Sequence, residues 1–259
     1  RLALRMEVFQ VAQDMQKETI WCDSANKASR LHGYIWWPED GVEPKAAVQL
    51  IHGMAEHIDR YDDFARYLNG RGFVVYGHDH VGHGQSVSSQ DEYGDLPVEG
   101  GMDILVEDVH RVRTTALARI SEVYDKLIPL FMFGHSMGSF VLRAYLARHA
   151  FGLSGAIICG TGFMPPRTSA AANALARTVA RVRGASYRSK LLHSLGVGSY
   201  AKEIEDAKTE LDWLSHNRDN VNRYIADDQC GFMFSAGGYA TGTDMMREDC
   251  TPACASAYP

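Results

Sequence analysis

The sequence carries no excess of positive charge: 26 Lys and Arg stand against 32 Asp and Glu, a formal charge of −6. A general affinity for nucleic acid draws on a basic surface, so that class of partner is excluded, and no nucleic-acid motif is present. No apolar run is long enough to span a bilayer. The opening Arg1-Leu-Ala-Leu-Arg-Met-Glu-Val has neither the apolar length nor the small-residue cleavage site of a secretory signal. Cysteine is sparse and odd in number. Cys22, Cys159, Cys230, Cys250 and Cys254 do not make the dense, even framework of a small secreted protein, which favours a reducing, cytoplasmic setting. Cys250 and Cys254 form an isolated C-x-x-x-C without His or Cys partners at ligand spacing, so neither a metal nor a cofactor is expected. Internal repeats and low-complexity tracts are absent.

What is there suits a well-buried α/β domain: 259 residues, 46% of them hydrophobic. Residues 18–23 and 31–37 are β-rich runs around a polar turn and predict an antiparallel hairpin. Ala46–His52 and Phe73–Asp79 read as strands, with a helix over Asp59–Asn69 between them. Met102, Leu105, Val106, Val109, Val112, Ala116, Leu117 and Ile120 mark one face of a long helix. Leu130–Gly134 and Leu153–Cys159 are continuous apolar runs with a helix between them. Strands that are apolar throughout, separated by helices, imply a mostly parallel, doubly wound sheet covered on both faces.

After Gly162 the rhythm changes. Residues 163–202 hold seven Arg or Lys and no Asp or Glu, with an Ala-rich helical stretch over Ser169–Arg183, and residues 203–228 swing acidic. The expected organisation is a leader over 1–14, with Met15 as a plausible start, a core over 15–162, a helical insertion over 163–230, and a further core segment from 231 to 259.

Gly134-His135-Ser136-Met137-Gly138 fits G-x-S-x-G, and it lies where an apolar strand ends and a helix begins. A serine on so sharp a turn needs small neighbours, because side chains at 134 or 138 collide with the adjoining strand and helix. Ser136 is the candidate nucleophile. The N–H of Met137, at the helix N-terminus, is one candidate oxyanion donor. His52-Gly53-Met54-Ala55 follows another strand, and Gly53 allows a turn that aims the N–H of Met54 at the same point, making it the second.

His52-Gly-Met-Ala-Glu-His57 with Arg60-Tyr61, Gly77-His-Asp-His-Val-Gly-His-Gly-Gln-Ser86, and Gly134-His-Ser-Met-Gly138 occur in that order. Together they resemble the monoacylglycerol lipase and lysophospholipase branch of the α/β-hydrolase family over about residues 30–160. The resemblance implies a serine hydrolase that cleaves glycerol monoesters or lysophospholipids through an acyl-enzyme, needs no cofactor or metal, and carries a mobile helical cap. The insertion after Gly162 is similar to that cap. Its apolar face, edged by Arg177, Arg181, Arg183, Arg188 and Lys190, suits peripheral contact with an anionic lipid surface; pairing with the acidic 203–228 stretch is the alternative. His78, His80 and His83 are spaced like metal ligands, but the resemblance makes their loop a brace beside the site.

A serine hydroxyl needs a histidine to take its proton and a carboxylate to orient that histidine. The resemblance places both after the cap, on strands expected beyond Pro259, which leaves Leu153–Cys159 as an exposed apolar edge. His149, His193, His216, Asp244 and Asp249 are not assigned to a triad. The expected function is lipid ester hydrolysis at Ser136, with a lysophospholipase or broad carboxylesterase as the alternative within the class. Outside it, the alternative is an inactive lipid-binding or partner-binding protein.

Overall fold

The structure is a computed structural model that describes residues 16–39, 41–249, 251–256 and 258. The expected leader over 1–14 and Cys250 lie outside the described residues. Strands β1 (Lys17–Asp23) and β2 (Arg30–Trp36) form the antiparallel hairpin, pairing Trp21 with His32. The turn between them closes on Asn26, whose side-chain oxygen accepts the N–H groups of Ala28 and Ser29 at 2.8 Å each.

Strand β3 (Ala46–Ile51) is buried at every residue, as its unbroken apolar run implies. A 3₁₀ turn over Ile58–Tyr61 then leads into α1 (Asp62–Asn69). The single helix expected over 59–69 is therefore two pieces. Its first turn is tightened where the buried carboxylate of Asp79 takes the Ile58 N–H at 2.8 Å. Next come β4 (Phe73–His78), α2 (Gly101–Tyr124), β5 (Leu130–His135), α3 (Met137–His149) and β6 (Gly155–Cys159). β6 starts two residues later than its apolar run suggests, because the Leu153 N–H is held in a turn by the Ala150 carbonyl at 3.1 Å.

The sheet order is β1-β2-β4-β3-β5-β6, with β4, β3, β5 and β6 mutually parallel. From β3 the chain passes through α1 to β4 on one side, then through α2 to β5 on the other. The loops after β3 and β5 thus diverge at a switch point, the place where an open parallel sheet leaves a crevice at its carboxyl edge. Helix α2 buries Met102, Leu105, Val106, Val109, Val112, Ala116 and Ile120 as its periodicity predicts, with Leu117 half-buried. Each fully buried Val, Leu, Ile or Met among them stabilises the fold by about 1.5–3 kcal/mol. A polar pair enters this interface: Gln49 of β3 donates to the Val109 carbonyl at 2.9 Å and accepts from the Tyr76 hydroxyl at 3.2 Å.

Beyond β6 the chain is helical: α4 (Pro166–Arg183), α5 (Lys190–Leu195), α6 (Arg218–Ile225), α7 (Ala236–Asp249) and α8 (Pro252–Ser256). Pro166 occupies the first turn of α4, where its missing N–H costs nothing. Small residues let α4 lie against α7, with Ala176 and Ala180 buried beside Ala236 and Ala240. Arg177 and Arg188 turn inward, the first to Glu99 and Asp244, the second to the Met233 and Asp91 carbonyls. None of these partners lies in the acidic 203–228 stretch, so the alternative pairing of the basic edge is not the one adopted by these two arginines.

No helix among the described residues is long and apolar enough to cross a membrane. Strand β6 is the sheet's edge among the described residues, and its Ile157 is 54% exposed. An apolar strand edge invites pairing between chains. Ile157→Lys is expected to leave the unfolding free energy within about 0.5 kcal/mol and to reduce light scattering on heating. Unchanged scattering would mean that aggregation starts elsewhere.

Candidate active site

Ser136 joins β5 to α3 with φ 52° and ψ −119°, in the left-handed region that side chains rarely occupy. Such a residue stores about 1–3 kcal/mol and persists only where its surroundings over-determine it. Here they do. The Ser136 N–H donates to the Cys159 carbonyl at 3.0 Å, and its own carbonyl accepts the Ser139 N–H at 2.9 Å and the Ser139 hydroxyl at 2.5 Å. The flanking glycines fit the expected sterics. A Cβ at Gly138 would stand 2.1 Å from the Ile51 carbonyl oxygen, and one at Gly134 would stand 2.5 Å from that of Gly138.

The loop after β3 comes to the same place. A Cβ on Gly53 would stand 3.1 Å from Ser136 Cβ and 2.8 Å from Glu56 Oε1, so a larger residue there would have to displace the Glu56 carboxylate and crowd Ser136. The Gly53 N–H is taken by Glu56 Oε1 at 2.6 Å, and the Ala55 N–H points to His83 Nε2 at 3.4 Å. Between them, the Met54 N–H meets no acceptor among the described residues. Its direction is set by its neighbour: His52 Nδ1–H donates to the Gly53 carbonyl at 2.8 Å. Every described peptide is trans, so the Met54 N–H of that same planar unit points the opposite way. The Met137 N–H, in the first turn of α3, also has no intrahelical acceptor. The structure thus brings Ser136 and the Met54 loop together at the switch point.

Behind this loop lies a buried polar frame. His52 Nε2 accepts the His80 N–H at 3.0 Å, and His83 Nδ1 donates to the Val81 carbonyl at 3.0 Å. Both rings act as donor and acceptor at once, which only a neutral imidazole does. Burial holds His52, His78, His80 and His83 below the ordinary histidine range, His78 and His83 down to about 4. The nitrogens of His78, His80 and His83 do not gather as a ligand set. Among the described residues, the group that does is His57, Asp227 and Cys230.

A second network was not foreseen from the sequence. Buried Glu56 accepts from Arg60, from the Tyr61 hydroxyl at 2.9 Å and from the Gly53 N–H, with His135 Nδ1 at 3.5 Å. Burial pushes this carboxyl up, but the hydrogen bonds and the Arg60 and His135 charges outweigh it and hold it below the usual range. The signal was present in Glu56-x-x-x-Arg60-Tyr61, though nothing local points to His135.

The histidines that follow Ser136 are engaged elsewhere. His149 meets Glu107 at 2.7 Å, His193 meets the Tyr239 hydroxyl at 3.0 Å, and His216 is exposed. His135 faces Tyr61 at 3.1 Å. Among the described residues no histidine hydrogen-bonds to Ser136 Oγ. Two surface hollows, of about 320 and 370 Å³, include neither Ser136 nor Met54 in their linings.

The profile described as "Serine aminopeptidase, S33" matches residues 42–256. Over 192 residues the chain is 29% identical to the monoglyceride lipase of Mus musculus, covering 74% of this chain and 54% of that one. It therefore spans about half the length of the curated relatives it matches. The crystal structure of a thermostable carboxyl esterase from Bacillus coagulans, in complex with glycerol, is 30% identical with a TM-score of 0.83, covering 95% of this chain and 77% of that one. A monoglyceride lipase structure from Saccharomyces cerevisiae, at 18% identity, TM-score 0.65 and 91% and 70% coverage, agrees with the α/β-hydrolase fold.

The buried frame carries a pH dependence. Each of the four histidines is neutral when folded and charges near pH 6.5 once unfolded, so its stabilising share is present above that pH and lost as pH falls towards about 4. Asp108 and Asp249, pushed up by burial to about 6 and about 7, act in the opposite sense. The buried histidines outnumber these two carboxyls, so on balance unfolding takes up protons and stability falls as pH drops from about 6.5 to about 4. Urea midpoints are expected to fall steeply over that window. A flat profile from pH 6.5 to 4.5 would contradict the neutral-histidine frame.

Proposed function

The chain belongs to the serine aminopeptidase S33 family of hydrolases, and on that premise we propose that it cleaves carboxylic esters of lipids, glycerol monoesters foremost, through an acyl-enzyme on Ser136. The observation that carries the reading is the left-handed Ser136 beside two backbone N–H groups, those of Met54 and Met137, that no described acceptor satisfies. Ser136 Oγ attacks the ester carbonyl, the developing oxyanion takes the two N–H groups, and the glycerol alcohol leaves. Water then releases the fatty acid. Removing one oxyanion donor typically slows such a reaction by about 10²–10³.

The choice of substrate is supported by relatives that are monoglyceride lipases and by an esterase neighbour that holds glycerol. A lysophospholipase or broader carboxylesterase uses the same two steps, and turnover of the three ester classes distinguishes them. The reaction further needs a histidine base and an orienting carboxylate, which this reading takes from outside the described residues. We place the cap over 163–230. Exposed Val182, Leu191 and Leu195, in the same stretch as Arg181, Arg183 and Lys190, support its peripheral contact with an anionic lipid surface.

A chain continued past Pro259 along its reading frame is expected to react with a fluorophosphonate at Ser136. Ser136→Ala is expected to abolish labelling and to lower hydrolysis by at least about four powers of ten. A folded, continued chain that ignores the reagent would sink the enzyme reading in favour of a binding protein. For the cap, vesicles containing phosphatidylserine are expected to sediment the protein, and Leu191→Ser with Leu195→Ser to weaken that retention. Equal sedimentation of the variant would remove the membrane role.

A further inference from the structure

Where the helical segment meets the core, three metal-binding side chains converge from two distant stretches. His57 Nε2 lies 2.8 Å from Asp227 Oδ2. Cys230 completes the group, with one donor atom from each residue inside 4.8 Å of the others. We propose that His57, Asp227 and Cys230 form a binding site for a thiophilic first-row divalent cation, zinc foremost, that ties the segment around Asp227 to the turn following Met54.

The donor chemistry selects the ion. An imidazole nitrogen, a carboxylate oxygen and a thiolate sulfur are the ligands zinc takes, at about 2.0–2.3 Å each, whereas magnesium and calcium prefer oxygen alone. Tetrahedral geometry places such donors about 3.5 Å apart. Admitting the ion therefore asks the His57–Asp227 pair to open from 2.8 Å and any donor pair near the 4.8 Å limit to close, movements of about 1 Å that are within reach of side-chain rotation. Charge balances too. A thiolate and a carboxylate neutralise the dication while the imidazole stays neutral, and the proton that Cys230 gives up passes to solvent. Asp227 is about a third exposed, which leaves an entry path and room for a fourth, water-derived ligand.

The backbone is already arranged around this point. Asp227 is fixed in a turn whose Cys230 N–H donates to the Asp227 carbonyl at 2.9 Å and whose Gln229 N–H donates to its carboxylate at 2.9 Å. One residue on, the Gly231 N–H donates to the Ala55 carbonyl at 2.9 Å, and the Tyr224 hydroxyl joins it there at 2.6 Å. An ion bridging 57 to 227 and 230 thus spans a joint that backbone hydrogen bonds already close. It costs little ordering, and its effect is to hold the joint shut. The inference does not rest on the ester-hydrolase reading, because binding is measured without turnover.

The test uses the untagged chain and Co²⁺ as a spectroscopic stand-in for zinc. One equivalent of Co²⁺ is expected to produce a thiolate-to-cobalt band in the near ultraviolet, which Zn²⁺ then displaces. Zinc is also expected to raise the thermal midpoint by several degrees and to shield Cys230 from iodoacetamide, read by peptide mass spectrometry. Cys230→Ser should remove the band and weaken zinc binding by about 100-fold, while Cys22→Ser leaves both intact. Should Cys230→Ser fail to fold, zinc shielding of Cys230 in the unaltered chain decides. No thiolate band with the folded chain, a band that survives Cys230→Ser, or unshielded alkylation of Cys230 overturns the site.

Discussion

The close approach of one backbone to another, at Gly138 against the carbonyls of Ile51 and His52, is the contact on which the rest of the site depends. It presses the first turn of α3 onto the end of β3, so that the loops following β3 and β5 share one crevice. Any side chain at 138 holds these elements apart. The left-handed Ser136 and the glycine at 53 follow from the same proximity, since each lies where a neighbour's atoms have taken the ordinary space. The strain at Ser136 is of the same order as the few hydrogen bonds fastening its N–H and carbonyl, at about 1 kcal/mol apiece.

Around that contact the chain spends buried polar groups rather than apolar ones. An aliphatic filling would give volume without direction, whereas the Met54 loop needs every peptide turned correctly. Gly53 and Ala55 each have N–H and carbonyl committed: to Glu56 and His52 on one side, to His83, Tyr224 and Gly231 on the other. The residue between them is left with one N–H uncommitted and one direction in which to point. Preorganisation of this kind is what a site for developing negative charge requires, because a donor that must reorient during the reaction loses much of its advantage. Neutral histidine suits the frame because one rigid ring both donates and accepts, and its acid lability is the corresponding cost.

The sequence made the sheet and its flanking helices legible because those signals are local. Continuous apolar runs marked β3, β4 and β5, a 3.6-residue period marked the buried face of α2, and glycines on either side of Ser136 marked its turn. The errors were local too: the break at Tyr61 depends on Asp79 reaching the Ile58 N–H, and the late start of β6 depends on a turn at Leu153 that its apolar character conceals. What could not be read were pairings across long separations. His57 meets Asp227 at 170 residues' remove, and Glu56 meets His135 at 79, and no periodicity or spacing encodes either.

Those long-range pairings also decide how the helical segment bears on the crevice. The Ala55 carbonyl receives both Tyr224 and Gly231, and Ala55 is the residue after Met54. Were the segment around 224–231 to move away, that carbonyl would lose both donors, and the turn whose φ at Ala55 is 52° would lose part of what holds it. The direction of the Met54 N–H, fixed from one side by His52 within the core, would then be unsupported from the other. The helical segment is thereby joined to the Met54 turn through the Ala55 carbonyl, beside the His57–Asp227 contact, without any side chain of that segment having to reach Ser136.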